Sequence, residues 1–170
     1  PGWHYGEASD VEWLCDRYDL DEVVGAFGAG ALGRDPPAEL AGFDRERHDA
    51  VVPGDVDVPE DSQRYQARVT KGVAEFLRRR GATVLAADAL RDTGDAGMGV
   101  LERDGTEKRA YEAVAAAFEP VQATLADPTP GSSPVVVVND TGEGVSGTVT
   151  VEGDDTELDV SVDAHETATA

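Results

Sequence analysis

The chain has 170 residues, 35 Asp and Glu against 14 Lys and Arg, a formal net charge of −21 and one cysteine. A surface this acidic repels phosphate backbones and anionic lipid, which argues against nucleic-acid and membrane partners. A lone thiol rules out an intramolecular disulfide and a multi-cysteine metal site, and no apolar run approaches the roughly 18 residues that span a bilayer.

The acids are spread through every segment, and the only lysines are Lys71 and Lys108, which is unlike a disordered acidic tail. At this charge self-repulsion opposes compaction in dilute buffer, whereas molar salt shortens the Debye length to roughly 3 Å and removes most of that cost. The composition points to a cytoplasmic protein of a salt-loving cell, with an ordinary acidic domain as the plainer alternative. Nothing reads as a signal peptide, and the opening Pro1-Gly2-Trp3 reads as a piece of a longer protein.

Ser9 and Glu12 make an S-x-x-E capping box, with Val11, Leu14 and Cys15 at helical spacing, and predict a short helix over 10–18. The β-branched run Glu22-Val23-Val24-Gly25-Ala26-Phe27 predicts a buried strand closed by Gly28. Residues 28–33 read as a mobile loop, 37–40 as a helical turn and 51–60 as an irregular connection. The stripe Tyr65, Val69, Val73, Phe76 and Leu77 predicts a helix over 61–80 that stops at Gly81, with Gln, Arg and Lys on its other face. A second buried strand over 83–87 follows, then a glycine-rich stretch over 94–99 and a turn at Arg103-Asp104-Gly105. A helix showing Tyr111, Val114, Ala115 and Phe118 on one face completes this part.

This αβα alternation belongs to a parallel sheet. Two strands cannot close one, so the first 120 residues call for partner strands from preceding sequence or from another copy of the chain. Residues 127–134 have the composition of a linker. Around it, 121–125, 135–138, 145–151 and 158–162 read as strands, with turns over 140–144 and 153–156. Four strands fall short of the roughly seven of an immunoglobulin-like sandwich.

Three stretches, in order, resemble the β-mannosidase-like branch of glycoside hydrolase family 2. The first is Gly2-Trp3-His4-Tyr5-Gly6-Glu7, a short helix, and Val24-Gly25-Ala26-Phe27-Gly28-Ala29. The family reads Gly-Trp-(Tyr/His)-His-Gly, a helix and Val-Ser-Glu-Phe-Gly-Ala, whose Glu is the nucleophile at the end of barrel strand seven. The second is the long helix and the strand through Ala89, placed like barrel strand eight. There Leu90, Asp92, Gly99-Val100-Leu101, Gly105 and Lys108 through Tyr111 keep the flavour of the family's run. The third is Phe118-Glu119-Pro120-Val121 with Val138-Asn139-Asp140-Thr141 and Val145-Ser146-Gly147, similar to the exit from the barrel into the next domain.

The resemblance implies an α/β plus all-β fold. Residues 1–120 would be the last βα units of a TIM-type (β/α)8 barrel, and 121–170 the start of an immunoglobulin-like β-sandwich. It also implies carbohydrate as the partner. A retaining glycosidase needs two carboxyl groups about 5 Å apart, yet the position that matches the family nucleophile is Ala26, and the acid/base would lie on an earlier barrel strand, before Pro1. Hydrolysis by this route is therefore not expected; Glu22 and Glu7 are no obvious substitutes. The alternatives are an active glycosidase with its nucleophile elsewhere, and a non-catalytic assembly module.

By the same resemblance Trp3, His4 and Tyr5 line a sugar, against the plainer reading that they pack a loop end. Asp88, Arg91 and Asp92 follow the second strand, where barrel folds keep their sites, although their residue types equally suit a solvated Asp-Arg loop. His48 and His165 stand on polar stretches and read as surface histidines. No metal site and no cofactor are expected; the Asp-rich turns at Asp140 and at Asp154-Asp155 fit no EF-hand spacing, and Gly28-Ala29-Gly30 lacks the third glycine of a phosphate-binding turn. Open strand edges point to self-association as a homo-oligomer.

Overall fold

The computed structural model describes residues 8–18, 23–36, 43–126, 133–151 and 156–170. Gly2 through Glu7, Glu22, the turn expected over 37–40, most of the linker and Asp154-Asp155 lie outside the described residues. The chain divides into two compact units, Pro1–Ala117 and Phe118–Ala170.

The first unit runs α1 (Ala8–Tyr18), β1 (Val23–Phe27), β2 (Ala31–Leu32), α2 (Arg45–Val51), α3 (Pro59–Arg79), β3 (Val84–Ala87), β4 (Ala96–Gly97) and α4 (Arg109–Ala117). Its organiser is α3. Pro59 starts the helix with φ already set, Glu60 and Asp61 in the first turn and Arg78 and Arg79 in the last complement the dipole, and Gly81 takes the left-handed turn beyond it at φ +79°. The apolar stripe is buried as the spacing demands, with Tyr65, Val69, Val73 and Leu77 at 1 % exposure or less. It packs with Cys15 of α1, Phe27 of β1, Ala29, Val52 and Ala117 of α4 in one core.

The face of α3 beside that stripe differs from expectation: Ser62, Gln63, Gln66, Thr70 and Arg78 are buried, not solvated. They serve the segment after β1, which is likewise no loose loop. Ala29 through Gly33 are all buried. The Thr70 hydroxyl accepts from Ala29 N at 3.2 Å and the Ser62 hydroxyl from Leu32 N at 2.9 Å, while the Gln66 and Gln63 amides donate to the carbonyls of Ala29 (3.0 Å) and Leu32 (3.2 Å). Irregular backbone without a full ladder must find partners when buried, and the helix supplies them.

β1 and β3 pair in parallel, Val23 with Val84, Val24 with Leu85 and Phe27 with Ala87, so β1 carries one extra residue at Gly25-Ala26. Two strands expected to be buried are open on one side: Gly25, Ala26, Val84 and Ala86 are exposed, whereas Phe27, Leu85 and Ala87 pack into the core. β2 and β4 form a short antiparallel pair. In α4 the buried residues are Ala110 and Ala117, and Tyr111 and Phe118 are about two-fifths exposed, so its inner face is the small-residue face and not the aromatic one. Small side chains let α4 lie close to α3, and Arg78 donates to the Ala117 carbonyl at 2.6 Å.

In the second unit β5 (Val121–Leu125), β6 (Val135–Asn139) and β9 (Thr167–Thr169) form one antiparallel sheet and β7 (Val145–Thr150) and β8 (Glu157–Val162) a hairpin. β9 is an element the sequence reading lacks. Val135, Val137 and Val162 are the buried centre, surrounded by Val145, Val149, Leu158, Val160 and Ala168.

Candidate functional site

Chemistry-bearing side chains gather at the end of β1 and β3 and in the segments that follow them. Ala26 is exposed on β1 and ends at Cβ, offering no oxygen to a substrate. Asp88 directly follows β3, donates its amide to the Phe27 carbonyl at 2.9 Å and is exposed, as are Leu90 and Arg91. Trp3, His4 and Tyr5 lie outside the described residues.

Asp92 behaves unlike its neighbours. It is 6 % exposed and ion-paired with Lys108, itself 2 % exposed, which corrects the solvated-loop reading at this one residue, Asp88 and Arg91 being exposed. Its Oδ1 accepts from Gly99 N at 2.6 Å; Oδ2 has no aligned hydrogen bond and depends on the Lys108 ammonium as its counter-charge. Lys108 also reaches the carbonyls of Gly97 (3.3 Å) and Ala31 (3.4 Å), joining β2 to β4. Burial raises the pKa of Asp92 with Lys108 opposing, and burial lowers that of Lys108 with Asp92 opposing. Gly99 is required here, because a Cβ would sit 2.3 Å from Asp92 N. Neither partner is free to bind a ligand; the pair holds the loop in place.

Above it opens a pocket of about 260 Å³ lined by Asp92, Gly33 and Gly94, by the cations Arg34 and Arg103 and by the acids Asp35, Asp95, Glu102 and Asp104. Arg34 lies 3.6 Å from Glu102 and Arg103 lies 3.2 Å from Asp95, so its charges are largely spent on each other. It includes neither Ala26 nor Asp88 nor Arg91. Among the described residues no group of three or more His, Cys, Asp or Glu side chains is placed to hold a metal ion, and no helix is long and apolar enough to cross a membrane.

A Ser-His-Asp contact order escaped sequence reasoning. His48 is 0 % exposed, not a surface residue; its Nε2 lies 2.7 Å from Ser62 Oγ and its Nδ1 2.8 Å from Asp49 Oδ1. In a hydrolase this order activates a serine. Here Ser62 is itself 0 % exposed and its oxygen already accepts from Leu32 N, so no substrate reaches it. The available signal was Asp44, whose carboxylate caps α2 by accepting from Arg47 N at 3.1 Å and so marks the helix that buries His48. His165 is exposed, as expected.

No protein-family model matches this sequence, and no curated protein matches it. Solved structures do. A β-D-mannosidase from Dictyoglomus thermophilum is similar over 87 % of this chain, with 18 % identity and a TM-score of 0.67. An exo-chitosanase from Amycolatopsis orientalis is similar over 65 % of it, with 21 % identity and a TM-score of 0.52. The chain spans 23 % of the first enzyme's length and 15 % of the second's. At such identities the likeness is one of fold: this chain is a mixed α/β structure with several small sheets, similar to part of these glycoside hydrolases.

Proposed function

We propose that this chain is the carbohydrate-handling part of a β-mannosidase-like protein whose nucleophile position is silent. β1 and β3 stand as the last two strands of a (β/α)8 barrel, and the second unit opens an immunoglobulin-like sandwich. The observation that carries the reading is Ala26, exposed at the extra residue near the C-terminal end of a parallel strand, where barrel enzymes place reacting groups. A methyl group cannot attack an anomeric carbon, and loss of a covalent nucleophile costs many powers of ten in rate. Asp88 and Arg91, exposed just beyond β3, are the described side chains suited to sugar hydroxyls; Trp3, His4 and Tyr5 would add stacking faces.

The test uses dinitrophenyl β-D-mannoside, whose leaving group needs no general acid, in molar salt to suit the charge of −21. The wild-type protein is expected to give no phenolate above background, while Ala26→Glu accumulates a covalent mannosyl adduct visible in the intact mass. Turnover by the wild type overturns the silent site, and absence of the adduct in Ala26→Glu overturns the placement of residue 26.

A further inference from the structure

The second unit leaves a strand edge open together with the apolar side chains beside it. In the antiparallel pair of β5 and β6, bonded and non-bonded positions alternate. Ala126 N donates to the Pro134 carbonyl at 2.9 Å and Asp140 N to the Pro120 carbonyl at 2.8 Å, so the bonded positions of β5 are the even ones, Gln122 with Val138 and Thr124 with Val136. The odd residues of β6 turn the other way: Val135 N donates to the Ala170 carbonyl and Asn139 N to the Glu166 carbonyl, each at 3.0 Å. The N–H and C=O groups of Val121, Ala123 and Leu125 therefore point away from the sheet, whose strand order β5-β6-β9 puts β5 at its edge.

The side chains of the same residues are exposed as well. Val121, Ala123 and Leu125 lie opposite Asn139, Val137 and Val135, and so share the face on which Val135 and Val137 enter the core. Val121 and Leu125 are nevertheless 41 % and 42 % exposed, because the apolar cluster under the β7–β8 hairpin takes in residues of β6, β7, β8 and β9 and none of β5. Open edges are ordinarily blunted by a charge, a proline or a bulge. Val121-Gln122-Ala123-Thr124-Leu125 contains none of these and pairs with β6 without a register shift.

We infer that β5 is a self-association edge, on which the β5 of a second copy of this chain adds antiparallel about a twofold axis at Ala123. This inference does not depend on the carbohydrate reading. The strand is its own complement. With the axis at Ala123, Val121 of one copy faces Leu125 of the other and Ala123 faces Ala123, so every outward-pointing residue meets another and the two exchange a pair of hydrogen bonds. A slip of one residue would set these groups against amides already used by β6. Apolar side chains meet apolar ones, and Gln122 meets Thr124. Charge favours the same occupant. Chains of net charge −21 repel at long range, and an uncharged strip is where two of them can meet once molar salt has cut the Debye length to roughly 3 Å.

Sedimentation and amide exchange of the protein in molar salt, over a roughly hundredfold range of concentration, test the edge. The expected result is a monomer–dimer equilibrium. The amides of Val121, Ala123 and Leu125 should exchange only from the monomer and slow by up to about tenfold across that range, because the monomer fraction falls as the inverse square root of concentration once dimer dominates. Gln122 and Thr124, whose amides face β6, should change little. Ala123→Pro removes the central outward N–H and no ladder bond; it should leave the sheet intact, read from Val137 exchange, and abolish both the dimer and the slowing. If the proline disturbs β5, Ala123→Lys keeps the backbone and sets two ammonium groups opposite each other, with the same expected loss. A monomer throughout the range overturns the proposal, as does a dimer in which the three amides are not slowed, or one that survives these substitutions with the sheet intact. Protection of the three amides at every concentration overturns it too, since the edge would then be taken by the chain's own sequence.

Discussion

The two units bury polar groups in different ways. The first hides His48, Ser62, Gln63, Gln66, Thr70, Arg78, Asp92 and Lys108, whereas among the described residues of the second the one buried polar side chain is Asn139. The cause is backbone regularity. In the second unit β5, β6 and β9 satisfy one another's amides and carbonyls in register, so valines suffice to fill the interior. In the first, residues 28–33 and the buried positions Asp92, Gly99, Val100 and Lys108 have few ladder bonds, and several backbone groups there take a side chain from α3 or a member of the Asp92–Lys108 pair. Irregular segments near an open strand end are thus bought with buried polarity, which leaves that unit the more sensitive to single charge changes.

Breaking the Asp92–Lys108 pair is the strongest challenge to this contrast. Lys108→Met leaves a carboxylate buried without counter-charge and should cost about 3–5 kcal/mol of stability, measured by chemical denaturation. Adding Asp92→Asn should restore most of the loss, because an amide oxygen can still accept from Gly99 N and carries no charge. If the double variant is no better than Lys108→Met, charge burial is not what makes the first unit sensitive. In the second unit the matching test is Asn139→Ala. Its amide donates to the carbonyls of Glu143 (2.8 Å), Asp163 (2.9 Å) and Val162 (3.3 Å), and its oxygen accepts from Thr141 N at 3.0 Å. Removal should cost about 2–3 kcal/mol, a smaller loss than for the ion pair, since no charge is stranded. It should be read as faster amide exchange in β6 and β9.

That polarity explains what could be read from the sequence and what could not. α3 was legible because Tyr65, Val69, Val73 and Leu77 recur at helical spacing, and β7 and β8 because Val149 and Leu158 to Val162 alternate. The buried partners of residues 28–33 were not. Ser62, Gln66 and Thr70 have the same letters whether they face water or a carbonyl, and only the tertiary placement of β2 decides. The Asp92–Lys108 pair is hidden for the same reason, its members separated by a turn and two bridges. α4 misled because aromatic residues outweigh alanines in any apolar stripe, although a close helix crossing selects the alanines. β9, three residues of Thr-Ala-Thr, carries too little pattern to be noticed. At the site, the Ala26 position came from the resemblance, whereas its exposure beside an extra strand residue depends on how β1 pairs with β3.

The smallest expected effects decide whether surface charge in the first unit acts locally or through the whole chain. Arg103 and Asp95 lie 3.2 Å apart at the pocket rim, with side chains 65 % and 39 % exposed. If the pair acts locally, Arg103→Gln and Asp95→Asn should each cost something up to about 0.5 kcal/mol. On a chain of net charge −21 the collective field predicts opposite signs. Arg103→Gln deepens the repulsion and destabilises, whereas Asp95→Asn relieves it and stabilises, by a few tenths of a kcal/mol at roughly 0.1 M salt. In molar salt, where the Debye length is about 3 Å, the collective part should vanish and any local part survive. Opposite signs that collapse on adding salt are the expected result, because a pair this exposed has water to compete with while the excess acid is spread over every segment.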